Sequence, residues 1–235
     1  MDNNQFLECL SSSFNKFLET GSRSNEKLKI LHGAIARDIM NKLGNSYSIN
    51  SLGIGDGKEG KIKGRYINKN VDITISYNNE PIAGIGVKFV MQNYSQNSNN
   101  YFENMLGETA NIRSSKIPYF QIFIIPDKMP YYNDKGTLKN WETFSGHNAS
   151  KYVVLSKDNV DNFVHTPNKT LLVVIKLPNI DVEITSKVEY YNYYKSLKNI
   201  IITHSDTEYK SFESTVILND YETFIKKVIF YLKSL

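Results

Sequence analysis

Residues 71–113 read VDITISYNNEPIAGIGVKFVMQNYSQNSNNYFENMLGETANIR, and the fold of the chain turns on this stretch. Val71, Ile73, Ile75 and Tyr77 alternate with Asp72, Thr74 and Ser76, the period of a half-buried strand. Asn78-Asn79-Glu80-Pro81 is turn chemistry. A second strand follows, with Ala83, Ile85, Val87, Phe89 and Met91 as its apolar set. Its other face carries Ile82, Gly84, Gly86, Lys88 and Val90. A loop from Asn93 to Asn100 leads into a helix starting near Tyr101, packed through Phe102, Met105, Thr109 and Ile112. With the turn centred near Glu80, Asp72 lies opposite Lys88; a slip of two residues puts it opposite Gly86. Directly opposed Cβ atoms are about 4.5–5.5 Å apart, so Asp72 and Lys88 can share one face.

Upstream, Phe6, Leu7, Leu10, Phe14, Phe17 and Leu18 recur at helical spacing, and Gly21-Ser22 ends that helix. Ser24 is the expected N-cap of a second helix carrying Leu28, Leu31, Ile35, Ile39 and Leu43, which stops at Gly44. Residues 51–64 hold five glycines but no GxxxxGK[ST], so they read as a turn into a strand rather than a phosphate loop. Downstream, Tyr119–Ile125 is apolar throughout and reads as a central strand buried on both faces. Residues 128–150 read as irregular, Tyr152–Leu155 and Thr170–Lys176 as strands, and Glu183–Leu197 as helix. Tyr221, Phe224, Ile225, Val228 and Leu232 form a C-terminal amphipathic helix. The expectation is an α/β fold, a mixed sheet flanked by helices on both faces, in a single domain over residues 1–235. Within it, residues 1–44 are a helical pair, 60–180 the core sheet and helix, and 181–235 a C-terminal helical part.

The 235 residues carry a net charge of +4 and 22% charged side chains, mildly basic and compatible with nucleic acid. The single cysteine, Cys9, excludes an internal disulfide and reads as packing. No apolar run reaches the ~18 residues of a membrane span, and the start MDNNQFLECL has no leader pattern, so a cytoplasmic protein is expected. The four histidines lack zinc-ligand spacing. His32, Asp38, Glu26 and Glu59 read as packing or solvated polar residues. Pro126-Asp127 reads as a strand-end turn.

A strand with Asp72, a turn, a strand ending in Gly86-Val87-Lys88 and then a helix resembles the PD-(D/E)xK nuclease superfamily, which includes most type II restriction endonucleases. The resemblance is specific over about 45 residues. In that family an Asp on the first strand is followed, on the second, by an acid, any residue and Lys. Here Gly86 stands where the second acid would be. Some members have moved that acid to the following helix, which here offers Glu103, 15 residues after Lys88, and Glu108 beside the apolar stripe. These two lie about 140° apart around a helix.

The resemblance implies a Mg²⁺-dependent type II restriction endonuclease acting on double-stranded DNA. Asp72 with Glu103 or Glu108 would hold the metal, and Lys88 would complete the catalytic set. It also implies a homodimer and a cognate DNA methyltransferase as genetic partner. Base and backbone contacts are expected from Asn93, Gln96, Asn97, Asn99 and Asn100, and from Lys128. One alternative is a catalytically inactive nuclease fold that binds DNA. The other is a protein with no nucleic-acid role, in which Asp72 and Lys88 form a cross-strand ion pair.

Overall fold

The computed structural model describes residues 1–235. Helix α1 (Asn3–Thr20) opens with a reciprocal cap: the Asp2 carboxylate accepts the Gln5 N–H, and the Gln5 side chain accepts the Asp2 N–H. Helix α2 (Glu26–Leu43) starts at Asn25 rather than Ser24, whose hydroxyl accepts the Glu26 N–H at 3.2 Å. The strands are β1 (Tyr47–Ser51), β2 (Gly60–Lys63), β3 (Asn68–Val71), β4 (Ile73–Tyr77) and β5 (Glu80–Phe89). Helix α3 (Tyr94–Arg113) then crosses to β6 (Tyr119–Pro126). Strands β7 (Lys128–Tyr132) and β8 (Leu138–Thr143), helix α4 (Gly146–Ser156) and strand β9 (Lys169–Lys176) follow. Helix α5 (Lys187–Ser196), β10 (Thr203–His204), β11 (Val216–Leu218) and α6 (Tyr221–Lys233) complete the chain.

The main sheet has seven strands in the order β1-β4-β5-β6-β9-β10, with β11 also on β9. Its centre, β5-β6-β9, is parallel; β1, β4 and β10 are antiparallel to their neighbours. All eight residues of β6 are buried, as expected of a central strand. One face packs on α1, α2, α5 and α6 through Phe14, Leu31, Ile35, Ile85, Tyr190 and Phe224. The other packs on α3 and α4 through Met105, Phe123, Phe144 and Tyr152. The sheet is therefore mixed and covered on both sides. No helix is long and apolar enough to cross a membrane.

Four local readings of the sequence are corrected. The strand at 71–77 is not continuous: it breaks at Asp72, where the chain leaves the β2–β3 ribbon and enters β4. Val71 packs with Ile62, Ile112 and Tyr119, while Ile73 and Ile75 join the large core. Residues 128–143, expected to be irregular, form the β7–β8 hairpin. Tyr152–Leu155 is part of α4 rather than a strand; Tyr152 and Leu155 are buried while Val154 is 66% exposed, a one-sided pattern that suits a helix.

The fourth correction is α3, which begins at Tyr94, not near Tyr101. Glu142 of β8 accepts the Tyr94 N–H at 2.7 Å, the Ser95 N–H at 3.2 Å and the Ser95 hydroxyl. A buried carboxylate thus satisfies the first free N–H groups and faces the positive end of the helix dipole. That cap comes from 48 residues away in sequence, and it holds an Asn/Ser-rich segment helical against its local preference.

Candidate functional site

The site is built on the β4–β5 hairpin. Asn78 and Asn79 both take left-handed backbone conformations, with φ of 50° and 66°, and make a two-residue turn closed by the Tyr77–Glu80 pair. Pairing then runs Ser76–Pro81 and Ile75–Ala83, so Ile82 is an extra residue in β5, a bulge. Beyond it the register Ile73–Ile85 carries Asp72 to a place opposite Gly86, the slipped alternative rather than the Lys88 pairing.

The backbone at Asp72 is pinned by the Ser51 hydroxyl, which donates to the Asp72 carbonyl at 2.7 Å. The side chain turns back onto β5, where Oδ2 accepts the Val87 N–H at 2.7 Å. Burial pushes the Asp72 carboxyl up to about 6; the Val87 N–H opposes this, Glu108 adds to it and Lys88 opposes it. Lys88 does not pair with Asp72: the Asp72 carboxylate has one ion-pair neighbour within 4.0 Å, His32. The Lys88 ammonium lies 4.4 Å from the centre of the Tyr101 ring. Burial lowers its pKa, with the Asp72 charge acting in the other direction.

The place over Gly86 is already filled. A Cβ there would stand 2.6 Å from the Tyr119 hydroxyl and 2.8 Å from the Gln121 amide. Tyr119 donates in turn to Glu108, and Lys69 of β3 pairs with the same carboxylate at 2.9 Å. Of the two helix acids, Glu108 is the one held against this spot, whereas Glu103 is exposed and acts on the Lys151 charge.

The donor atoms that converge are different ones. His32 of α2, Glu59 of the loop after β1, and Asp72 place one ligand atom each within 4.8 Å of one another. Glu103 and Glu108 stand outside this group. His32 is 1% exposed, neither ring nitrogen has a hydrogen-bond partner, and Nδ1 lies 3.9 Å from Asp72 Oδ1. Burial pushes its pKa down to about 4, which keeps the imidazole neutral and available as a ligand. Glu59 is raised, first by burial and then by Asp72. The loop bearing it is seated on α2 at Gly53, whose φ is 77°. A Cβ on Gly53 would fall 2.0 Å from the Lys29 carbonyl oxygen, so only glycine allows this approach.

His32 follows Leu28 by four residues and precedes Ile35 by three, which already puts a polar ring on the inward stripe of α2. Asp38 shows the contrast. It too is buried, but it is satisfied by the N-terminal amine, Lys42 and the Tyr221 hydroxyl, a structural knot. Glu26 pairs with Lys29 at the surface, and Asp127 accepts from the Ser205 hydroxyl at 2.8 Å.

Two clefts meet at the Lys88–Tyr101 ridge. One, of about 530 Å³, is bordered by His32, Asp72, Lys88, Gln96 and Asn97. The other, of about 520 Å³, is bordered by Lys69, Gly86, Glu103, Glu108 and Gln121. A further cavity, about 770 Å³, lies elsewhere beside Asp127, Trp141 and Tyr194 and contains none of these groups.

Of the amides expected to meet DNA, Asn93, Gln96 and Asn97 border the first cleft, and Asn99 and Asn100 are exposed on α3. Asn93 is engaged in folding: its side chain exchanges two hydrogen bonds with the Tyr132 backbone, at 3.0 and 2.9 Å. Lys128 sits over the Trp141 ring, away from both clefts. A cationic surface not anticipated from the sequence is the β2–β3 ribbon. Its inner face buries Ile62, and Lys61, Lys63, Arg65 and Tyr66 are exposed. Lys69, on the same ribbon, borders the second cleft. The run KIKGRYINK, cationic and free of acids, was the readable signal.

No protein-family model matches the chain, and neither a curated protein nor a solved structure matches it.

Proposed function

We propose that this chain is a divalent-metal-dependent endonuclease of the restriction type, hydrolysing phosphodiester bonds of double-stranded DNA. The observation that supports it most is the placing of Asp72 and Glu59 side by side, with the Lys88 ammonium near enough for its charge and that of Asp72 to act on each other. Two partly buried carboxylates, both raised by burial and Glu59 further by the Asp72 charge, are stabilised by a dication, and Mg²⁺ is the simplest such ion. The Asp72–hairpin–Lys88–helix order fits the nuclease resemblance, with Glu59 supplying the carboxylate that Gly86 cannot.

When bound, the ion would lower the pKa of a water and offset charge on the phosphoryl oxygens. Asp72 and Glu59 would hold it. Lys88, fixed by the Tyr101 ring, would orient the attacking water and face the charge that develops on the phosphate. Glu108, tied to Tyr119 and Lys69, would position the ribbon beside the scissile strand. Lys61, Lys63 and Arg65 would contact DNA phosphates, with Gln96 and Asn97 closer to the reacting strand. Cutting both strands of a two-fold symmetric site requires a homodimer, and a methyltransferase would protect the host's own sites.

The test is cleavage of duplex DNA with Mg²⁺ by the wild type, Asp72→Ala and Lys88→Ala. Folded variants that no longer cut support the reading. A second reading, a DNA-binding module without catalysis, is favoured by one observation: a tyrosine hydroxyl fills the place of the family's second acid. Wild-type protein that binds DNA in Ca²⁺ but cuts in no dication would establish that alternative.

A further inference from the structure

We infer that His32 is a metal ligand, and that His32, Glu59 and Asp72 together form a site for a first-row transition dication rather than a pure oxygen site for Mg²⁺. The inference deepens the nuclease reading and rests on it only for the ion's role in catalysis; the binding site stands on its own geometry.

A buried imidazole ordinarily gives its ring nitrogens to partners, because an unpaired polar atom in the interior is costly. His32 is almost wholly buried and has none. Its Nδ1 lies 3.9 Å from Asp72 Oδ1, too long for a hydrogen bond. Glu59 completes a triangle whose sides are at most 4.8 Å. Two ligand atoms each about 2.1 Å from one ion lie up to about 4.2 Å apart. Rotations of the Glu59 and Asp72 side chains by a fraction of an ångström close the set around a single cation, and the unpaired nitrogen becomes its third ligand. Water would fill the remaining positions from the cleft that His32 and Asp72 border.

The nitrogen decides the class of ion. Mg²⁺ prefers oxygen and sheds water reluctantly, so it gains little from an imidazole. First-row transition dications accept nitrogen and carboxylate oxygen together. Mn²⁺ is the practical probe, because it takes such mixed sets and reports its ligands by electron paramagnetic resonance.

The experiment is Mn²⁺ titration of the full chain without DNA, with pulsed resonance on the bound ion. One Mn²⁺ with a nitrogen coupling is expected. His32→Ala should abolish that coupling, weaken Mn²⁺ by about tenfold or more, and narrow the preference for Mn²⁺ over Mg²⁺. Since His32 lies in the core, the wild-type spectrum alone is decisive if the variant fails to fold. Bound Mn²⁺ without nitrogen coupling, or no binding, overturns the inference even if DNA is cut with Mg²⁺. A nitrogen-coupled ion in a protein that cuts no DNA upholds the site and removes the nuclease reading.

Discussion

At the scale of single residues, Gly86 has no room for a side chain. Its missing Cβ is the space that the Tyr119 hydroxyl and the Gln121 amide occupy. Tyr119 is a buried ring held by Glu108, so it cannot swing clear as a surface side chain would. Gly86→Ala should therefore cost about 1–3 kcal/mol through overpacking, read as a lower denaturant midpoint at unchanged slope. An unaltered midpoint would mean that the space is open. An acid at this position, as in Gly86→Asp, is expected to destabilise the fold for the same reason.

His32 makes its own prediction. Its folded pKa of about 4 lies below the ordinary 6.5, so as pH falls the unfolded chain takes up the proton first. The contribution is fully present above about pH 6.5, is lost between there and about pH 4, and is level below. Over that window it amounts to something on the order of 3 kcal/mol. Asp72, raised towards 6, works in the opposite direction over part of the same range. The comparison is therefore between the metal-free wild type and His32→Leu: the variant should lose less stability on going from pH 7 to pH 4. Parallel curves would show that the imidazole is already charged, or solvated, in the native state.

At the scale of elements, α3 depends on a carboxylate from another part of the chain. Glu142→Gln keeps the shape and removes the charge that faces the helix N-terminus. It should cost about 1–2 kcal/mol and speed hydrogen exchange at residues 94–100 more than at 105–113. Uniform exchange along α3 would refute the capping role. The β2–β3 ribbon has a separate test. Replacing Lys61, Lys63 and Arg65 by alanine should weaken DNA binding for every sequence alike and reduce the salt slope by about 2–3, with thermal stability little changed. An unchanged slope would move the DNA surface elsewhere.

Elements differ in how far their own sequence marks them. The C-terminal helix was legible because Tyr221, Phe224, Ile225, Val228 and Leu232 repeat at its own period, and all five are buried. The start of α3 was not, since its cap lies on β8. The Asp72–Lys88 register was misplaced because the Asn78-Asn79 turn and the Ile82 bulge each shift it, and a bulge leaves no periodic trace.

At the scale of the molecule, the sheet serves to bring distant segments to one end of the β4–β5 hairpin. Asp72 and Lys88 are 16 residues apart and were readable together. His32 and Glu59 come from a helix and a loop that meet only once α2 packs on the sheet, so nothing local marks them as partners. Their types were visible in the sequence and their convergence was not. The same packing joins residues 181–235 to the rest: α5 and α6 share one core with α1, α2 and the sheet, so the C-terminal part is not a separate layer.

If this convergence is a nuclease site, the protein cuts DNA. The most direct measurement is incubation of the full chain with long unmethylated duplex DNA in Mg²⁺, in Mn²⁺ and in EDTA, alongside Asp72→Ala. Discrete fragments are expected with either dication, none in EDTA and none from the folded variant. Intact DNA under every condition, or equal cutting by Asp72→Ala, would contradict the nuclease site.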